Sequence, residues 1–211
     1  MTDTSTPRTR RDALANREAI VEAARTLLAT DPNASMDAIA RTAGLSRRAV
    51  YGHFTDRDDL LRELIRRGAE RFNAVAAIDD DVPAPVALAL LAGRLWVEAA
   101  QVQVTAAIAL DDTHVAQTAA ALAPLRARVR AIVADGVHTG VLRRDVPEPV
   151  LARVIEETAR AAVSRLDADD AASREIALRL VLSVSGLSWT ECDSVLSAHP
   201  HLLRAVPSET H

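Results

Sequence analysis

Lysine is missing from this chain: all 25 basic residues of its 211 are arginine. With heavy use of alanine and valine, that is the mark of a GC-rich genome and carries no functional message. Aromatic residues are nearly missing too, at two Trp, two Phe and one Tyr, which argues against a pocket walled by stacked rings. The single cysteine, Cys192, cannot close an internal disulfide, so a reducing cytoplasm is the expected compartment and a half-buried helix residue its expected role. No window approaches the roughly 18 apolar residues of a membrane span. The N-terminal MTDTSTPRTRRD has arginines with no apolar run behind them, unlike a secretory signal.

Motifs for chemistry are equally scarce. There is no H-E-x-x-H, C-x-x-C, P-loop or G-x-G-x-x-G. Gly186, Ser188 and Thr190 imitate a nucleophile elbow but lack its second glycine and stand in a helical context. Asp79, Asp80 and Asp81 read as a solvated linker, and His199 and His201 near Cys192 read as a polar tail because their spacing is irregular for a metal. Catalysis is disfavoured, and no metal or cofactor is expected. With no strand pattern and no repeat, the chain reads as all-α.

What is present is concentrated between Ser35 and Phe54, in SMDAIARTAGLSRRAVYGHF. Ser35 can cap a short helix, with Ile39 and Ala40 on its inner side. Gly44 suits the left-handed conformation that ends a helix, Leu45 offers an apolar plug, and Ser46 caps the next helix. That second helix starts at Arg47. Val50 and Phe54, four apart, share its inner face, which leaves Arg47, Arg48 and Tyr51 outward, with His53 near the boundary. The pattern is a helix-turn-helix with a basic outer face.

Around it the chain divides as follows. Residues 1–11 are a polar arm expected to be disordered, with Arg8, Arg10 and Arg11 available to phosphates. A first helix from Asp12 to about Thr30 carries a stripe of Leu14, Ile20, Val21, Ala24, Leu27 and Leu28, so residues 12–55 are expected to pack as one unit around the helix-turn-helix. A connecting helix over 56–77 opens with Thr55 and Asp58 spaced as a capping box, and has Leu60, Leu61, Leu64 and Ile65 on one face. IDDDVPAP, residues 78–85, is the clearest break, and 78–211 is a second, helical unit. Its helices are expected over about 84–100, then to Leu110, then Asp112–His138 kinked at Pro124. Two more follow over about 149–166 and 170–187, ahead of a short amphipathic helix and a frayed tail.

Charge supports this division. Residues 1–71 hold 13 Arg against 11 acids, and the remainder 12 Arg against 18. The basic excess is small, so the case for nucleic acid rests on where the charges sit. Arg47 and Arg48 can reach guanine edges bidentately or clamp phosphates. Tyr51 and His53 can donate to phosphate oxygens.

YGHFTDRDDLL, following IARTAGLS and preceding a long helix, resembles the TetR family of transcriptional regulators, whose DNA-binding domain reads Ile-Ala-x-x-Ala-Gly-Val-Ser, Tyr-x-x-Phe, a charged turn and Leu-Leu. The likeness covers about residues 10–65. It implies an all-helical homodimer that binds a palindromic operator as a repressor and is released by a small-molecule effector. It also implies a DNA-facing set of Ser35, Ser46, Arg47, Arg48, Ala49, Tyr51, His53 and Arg57, the last standing where a phosphate-contacting lysine is common. Ala49 replaces a frequent hydroxyl residue and Gly52 a bulkier one, which shifts base reading onto the two arginines.

A dimer also follows from physics, since one such motif reads only a few base pairs and two on a two-fold axis combine their affinities. The segment EIALRLVLSVSGL is apolar nearly all round and must be covered on more than one face. The expected interface is a four-helix bundle using Val154, Thr158, Ala161, Ile176, Leu180, Val181 and Val184, where a charge at Leu180 or Val181 should give a monomer. The expected effector pocket uses Leu91, Leu95, Trp96, Ala99, Leu122 and Leu125, with Gln103, His114 and Thr118 as polar contacts and a ligand of aliphatic character. A helical-bundle enzyme and a protein-binding adaptor are the competing classes, separable by a DNA shift assay.

Overall fold

The computed structural model describes the backbone of residues 6–78, 81–109, 115–167 and 170–203, and the side chains of these except 6–10, 100–109, 115 and 171. Among the described residues the chain is all-helical, as its periodicity predicts. α1 spans Thr6–Thr30, α2 Met36–Thr42, α3 Arg47–His53 and α4 Arg57–Ala76. The second half holds α5 at Ala84–Ala109, α6 at Val115–Ala121, α7 at Ala123–Thr139, α8 at Glu148–Arg165, α9 at Ala171–Val184 and α10 at Trp189–Ala198, with a 3-10 turn at Pro200–Leu203.

The short helices start and stop where their caps dictate. Ser35 accepts from the Ala38 N–H and Ser46 from the Ala49 N–H, each at 3.2 Å, and Gly44 takes φ +68°, a conformation costly for any residue with a Cβ. α1 starts at Thr6, earlier than Asp12, because Pro7 at the second helical position loses no intrahelical bond and arginine is a fair helix former. The expected disordered arm therefore gives way to helix from residue 6, while residues 1–5 and the side chains of Arg8 and Arg10 lie outside the described residues. Leu14 is 57% exposed and leaves the apolar stripe, which starts instead at Ile20.

Three other boundaries differ from the sequence reading. The cap of α4 is Asp56, which accepts from the Asp59 N–H at 2.7 Å, while Asp59 in turn accepts from Thr55, one position on from the expected Thr55–Asp58 box. α5 is one continuous helix, since alanine-rich sequence offers nothing to stop it at residue 100. At Pro124 the expected kink is a full break. Leu122 leaves the helical register and Pro124 opens α7 without an N–H.

Two apolar cores result. The first joins Ile20, Ala24 and Leu28 of α1, Met36, Ile39 and Ala40 of α2, Val50 and Phe54 of the α3 end, and Leu60, Leu61 and Leu64 of α4. The second is built on Leu88 and Leu91 of α5, Ile132 and Val133 of α7, Leu151 and Ile155 of α8 and Val181 of α9. α4 belongs to both, since its far end supplies Ala76 to the second. Each large residue fully buried is worth roughly 1.5–3 kcal/mol.

Val181 is thereby removed from the expected interface. It is 2% exposed inside its own chain's core, whereas Leu180, about 100° around the same helix, is 43% exposed and Ile176 is 44% exposed. Val184 is half-buried against that same core. Cys192 is more buried than expected, at 1%, with a free thiol. No described helix is long and apolar enough to cross a membrane.

Candidate nucleic-acid interface

α3 is two turns long and has little stability of its own, so its position is set by what holds its ends and inner face. Val50 is fully buried and Phe54 1% exposed, which pins that face into the first core, against α1 and α2. The outer face presents Arg47, Arg48 and Tyr51 to solvent, with Ala49 and His53 half-buried. Ser35 and Ser46 are exposed, and their side chains are spent as helix caps.

Arg17 of α1, which the sequence reading passed over, fixes the far end of α3. Its guanidinium lies 4.4 Å from the centre of the Phe54 ring, its Nη1 donates to the His53 carbonyl at 3.4 Å, and its Nη2 stands 3.3 Å from Glu63 Oε2. Glu63 of α4 is the hub of this cluster. Arg66 donates to both its carboxylate oxygens at 2.8 and 2.9 Å, Arg67 Nε donates to Oε1 at 2.8 Å, and Arg67 also pairs with Glu18 of α1. The side chain is 8% exposed, a burial that is tolerable only because three guanidiniums replace its water. Hydrogen bonding from Arg66 and Arg67 outweighs desolvation, and with the charge of Arg17 holds the carboxyl down at about 2.

The arginines of the set expected to face DNA have unequal freedom. Arg57 turns inward and donates to the Ala34 carbonyl at 3.3 Å and to that of Pro32, bracing the loop between α1 and α2. The guanidinium of Arg47 lies beside Asp37 and over the Tyr51 ring. Among the described residues nothing pairs with Arg48 or with Arg41 of α2.

α4 is also tied to the second unit. Asn73 Nδ2 donates to the Ala121 carbonyl at 2.9 Å and its Oδ1 accepts from the Leu125 N–H at 3.2 Å, so one side chain spans the break between α6 and α7. Arg71 pairs with Glu98 of α5 at 2.7 Å. Of the expected pocket residues, Leu91, Trp96 and Ala99 are buried and Leu95, Thr118, Leu122 and Leu125 half-buried. Leu91, Leu95 and Leu125 pack in the second core, and Trp96 packs in a separate cluster with Ala162 and Ala177. The Gln103 side chain and His114 lie outside the described residues, as do Asp79 and Asp80. Two open concavities lie elsewhere: a groove of about 600 Å³ along α8, and a cleft of about 370 Å³ between α4 and α6 that includes Arg17, Arg62, Glu63 and Gln117.

A capped, core-anchored second helix with an exposed basic face, carried on a larger helical unit, is the geometry of a helix-turn-helix. Residues 20–64 match the family model of bacterial regulatory proteins of the tetR family. The chain is 39% identical over 74 residues to the HTH-type transcriptional repressor LfrR of Mycolicibacterium smegmatis, a match spanning 35% of this chain and 39% of that repressor. The fold is similar to a tetR-family regulatory protein from Rhodococcus RHA1, with TM-score 0.69 and 21% identity over 82% of this chain and 98% of that one. It is also similar to the transcriptional regulator FadR from Bacillus subtilis, solved in complex with stearoyl-CoA, with TM-score 0.66 and 19% identity over 81% and 99%. Residues 20–64 are thus similar to the part of tetR-family regulators that the family model describes, and the chain spans about two fifths of the length of the curated repressor it matches.

Glu63 makes a pH-dependent contribution. Its folded pKa of about 2 lies below the ordinary 4.5, so its stabilisation is complete above pH 4.5 and is lost as pH falls through 2, amounting to on the order of 3 kcal/mol. In urea unfolding followed across that range, Glu63→Gln is expected to lower stability near neutral pH by about 1–3 kcal/mol and to flatten the acid limb relative to wild type.

Proposed function

We propose that this regulator is a repressor that binds a palindromic operator as a homodimer and is released when a small molecule enters its second unit. The observation that carries the reading is an exposed recognition helix on a chain that also leaves an apolar stripe uncovered. Val150, Val154, Ile176 and Leu180 are 50, 42, 44 and 43% exposed on α8 and α9. Thr158 and Ala161 continue that face along the groove of α8. An apolar stripe on two neighbouring helices is the surface that a second copy covers by four-helix packing. The interface proposed is therefore Val154, Thr158, Ala161, Ile176 and Leu180, with Val184 at its edge.

The division of labour proposed is DNA binding by residues 12–55, relay by 56–77 and effector binding by 78–211. Ser35, Ser46, Arg47, Arg48, Ala49, Tyr51, His53 and Arg57 make up the DNA-facing element, with Arg48, which has no partner among the described residues, as the foremost reader. Effector contacts are assigned to Trp96, Ala99, Gln103, His114, Thr118 and Leu122. FadR's complex with stearoyl-CoA and the aliphatic composition here both favour a ligand with a hydrocarbon body. Thermal-shift screening of acyl thioesters and other aliphatic compounds would reveal it, since a ligand of the folded state stabilises that state.

Arg48→Ala is expected to weaken binding to promoter DNA beside the chain's own gene by tenfold or more, with a shallower salt dependence, in an electrophoretic shift assay. No binding by the wild type at any salt concentration would favour the adaptor or enzyme class. Leu180→Asp is expected to sediment as a monomer with operator binding lost, whereas an intact dimer would move the interface elsewhere.

A further inference from the structure

The first residue of α3 and the second of α2 carry opposite charges and meet across the turn. Arg47 Nη1 donates to Asp37 Oδ2 at 3.2 Å, and Nε stands 3.2 Å from Oδ1. The same guanidinium lies over the Tyr51 ring, 5.4 Å from its centre. One edge of the Arg47 fork is thus turned toward a carboxylate and one face toward an aromatic ring, while Arg48 next to it has no partner among the described residues. A sequence reading treats the two arginines as equivalent; their surroundings do not.

We infer that Asp37 is a specificity-determining positioning residue, which holds Arg47 back from DNA and leaves sequence reading by α3 to Arg48. The inference rests on the DNA-binding reading above. The pair is largely exposed, with side chains 68 and 47% accessible, and an exposed Arg–carboxylate pair is worth a factor of a few in an equilibrium. A bidentate arginine–guanine contact is worth more. Asp37 therefore does not forbid Arg47 from touching DNA. It subtracts from whatever Arg47 gains at a phosphate or base, and its own charge repels the backbone that approaches α3. The effect is to lower sequence-independent affinity while Arg48 keeps its full contribution, which widens the ratio between specific and non-specific binding.

The full chain, as wild type, Asp37→Ala, Asp37→Asn and the double variant Asp37→Ala/Arg47→Ala, is taken through selection from a randomised duplex pool. Binding to one fixed GC-rich duplex of arbitrary sequence is measured against salt. Asp37→Asn retains the side-chain shape if loss of the helix-start carboxylate in Asp37→Ala impairs folding. Removing the charge is expected to tighten binding to the arbitrary duplex on the order of tenfold for a dimer. The salt slope is expected to steepen by about two, and the selected half-site to gain a guanine preference at one further position. The double variant is expected to lose all three gains. Unchanged slope and unchanged selected sequence in both single variants would overturn the inference, as would gains that survive in the double variant. A wild type that selects no sequence and binds no duplex would instead defeat the DNA-binding reading, and this inference with it.

Discussion

The carboxylate of Glu63, 8% exposed beneath three guanidiniums, is the constraint on which the placement of the recognition helix depends. A buried carboxylate alone costs several kcal/mol, and leaving it unpaired is worse than never burying it. Arg66 and Arg67 come from the next turn of the same helix and neutralise it locally. Arg17 comes from α1 and does more: its guanidinium also covers Phe54 and takes the carbonyl of His53. One side chain therefore joins α1, the end of α3 and α4 at a single point. A two-turn helix held by one apolar residue, one cap and this bracket has little freedom to turn independently of α4.

Under the proposed function, that linkage would give the second unit a mechanical route to DNA. α4 shares the first core through Leu60, Leu61 and Leu64 and the second through Ala76, and Asn73 grips both sides of the break at Pro124. A shift of α6 or α7 around a ligand would alter the partners of Asn73 and tilt α4, and α4 would carry Glu63, Arg17 and α3 with it. Physical continuity of this kind is one route by which two units can be coupled.

An all-arginine basic complement shapes the surface as well. Guanidinium forks suit carboxylates and carbonyls, and in the first unit most are spent that way: Arg17, Arg66 and Arg67 on Glu63, Arg57 on loop carbonyls, Arg47 on Asp37. The small basic excess of residues 1–71 thus hides a sharper division, in which few arginines are left for a ligand. The caps and turn of the helix-turn-helix were legible in the sequence because Ser35, Gly44 and Ser46 act on their own neighbours. The bracket was not, because Arg17 and Glu63 lie far apart in sequence and only packing brings them together, although the spacing of Glu63 to Arg66 and Arg67 marks a helical pair. The continuous α5 and the break before α7 escaped for a related reason: alanine gives no boundary signal, and one proline is compatible with a kink or a stop. The phase of α9 was ambiguous because nearly every position is apolar, so Val181 and Leu180 looked alike until their burial separated them.

The most direct test of the bracket is the operator affinity of Arg17→Met, which retains an apolar stem over Phe54 but loses the charge and the donor to His53. With helicity and a cooperative unfolding transition preserved, binding is expected to weaken about tenfold, equivalent to about 1.4 kcal/mol, because α3 loses its tie to α4. Wild-type affinity in a folded Arg17→Met protein would contradict the dependence of α3 on Glu63.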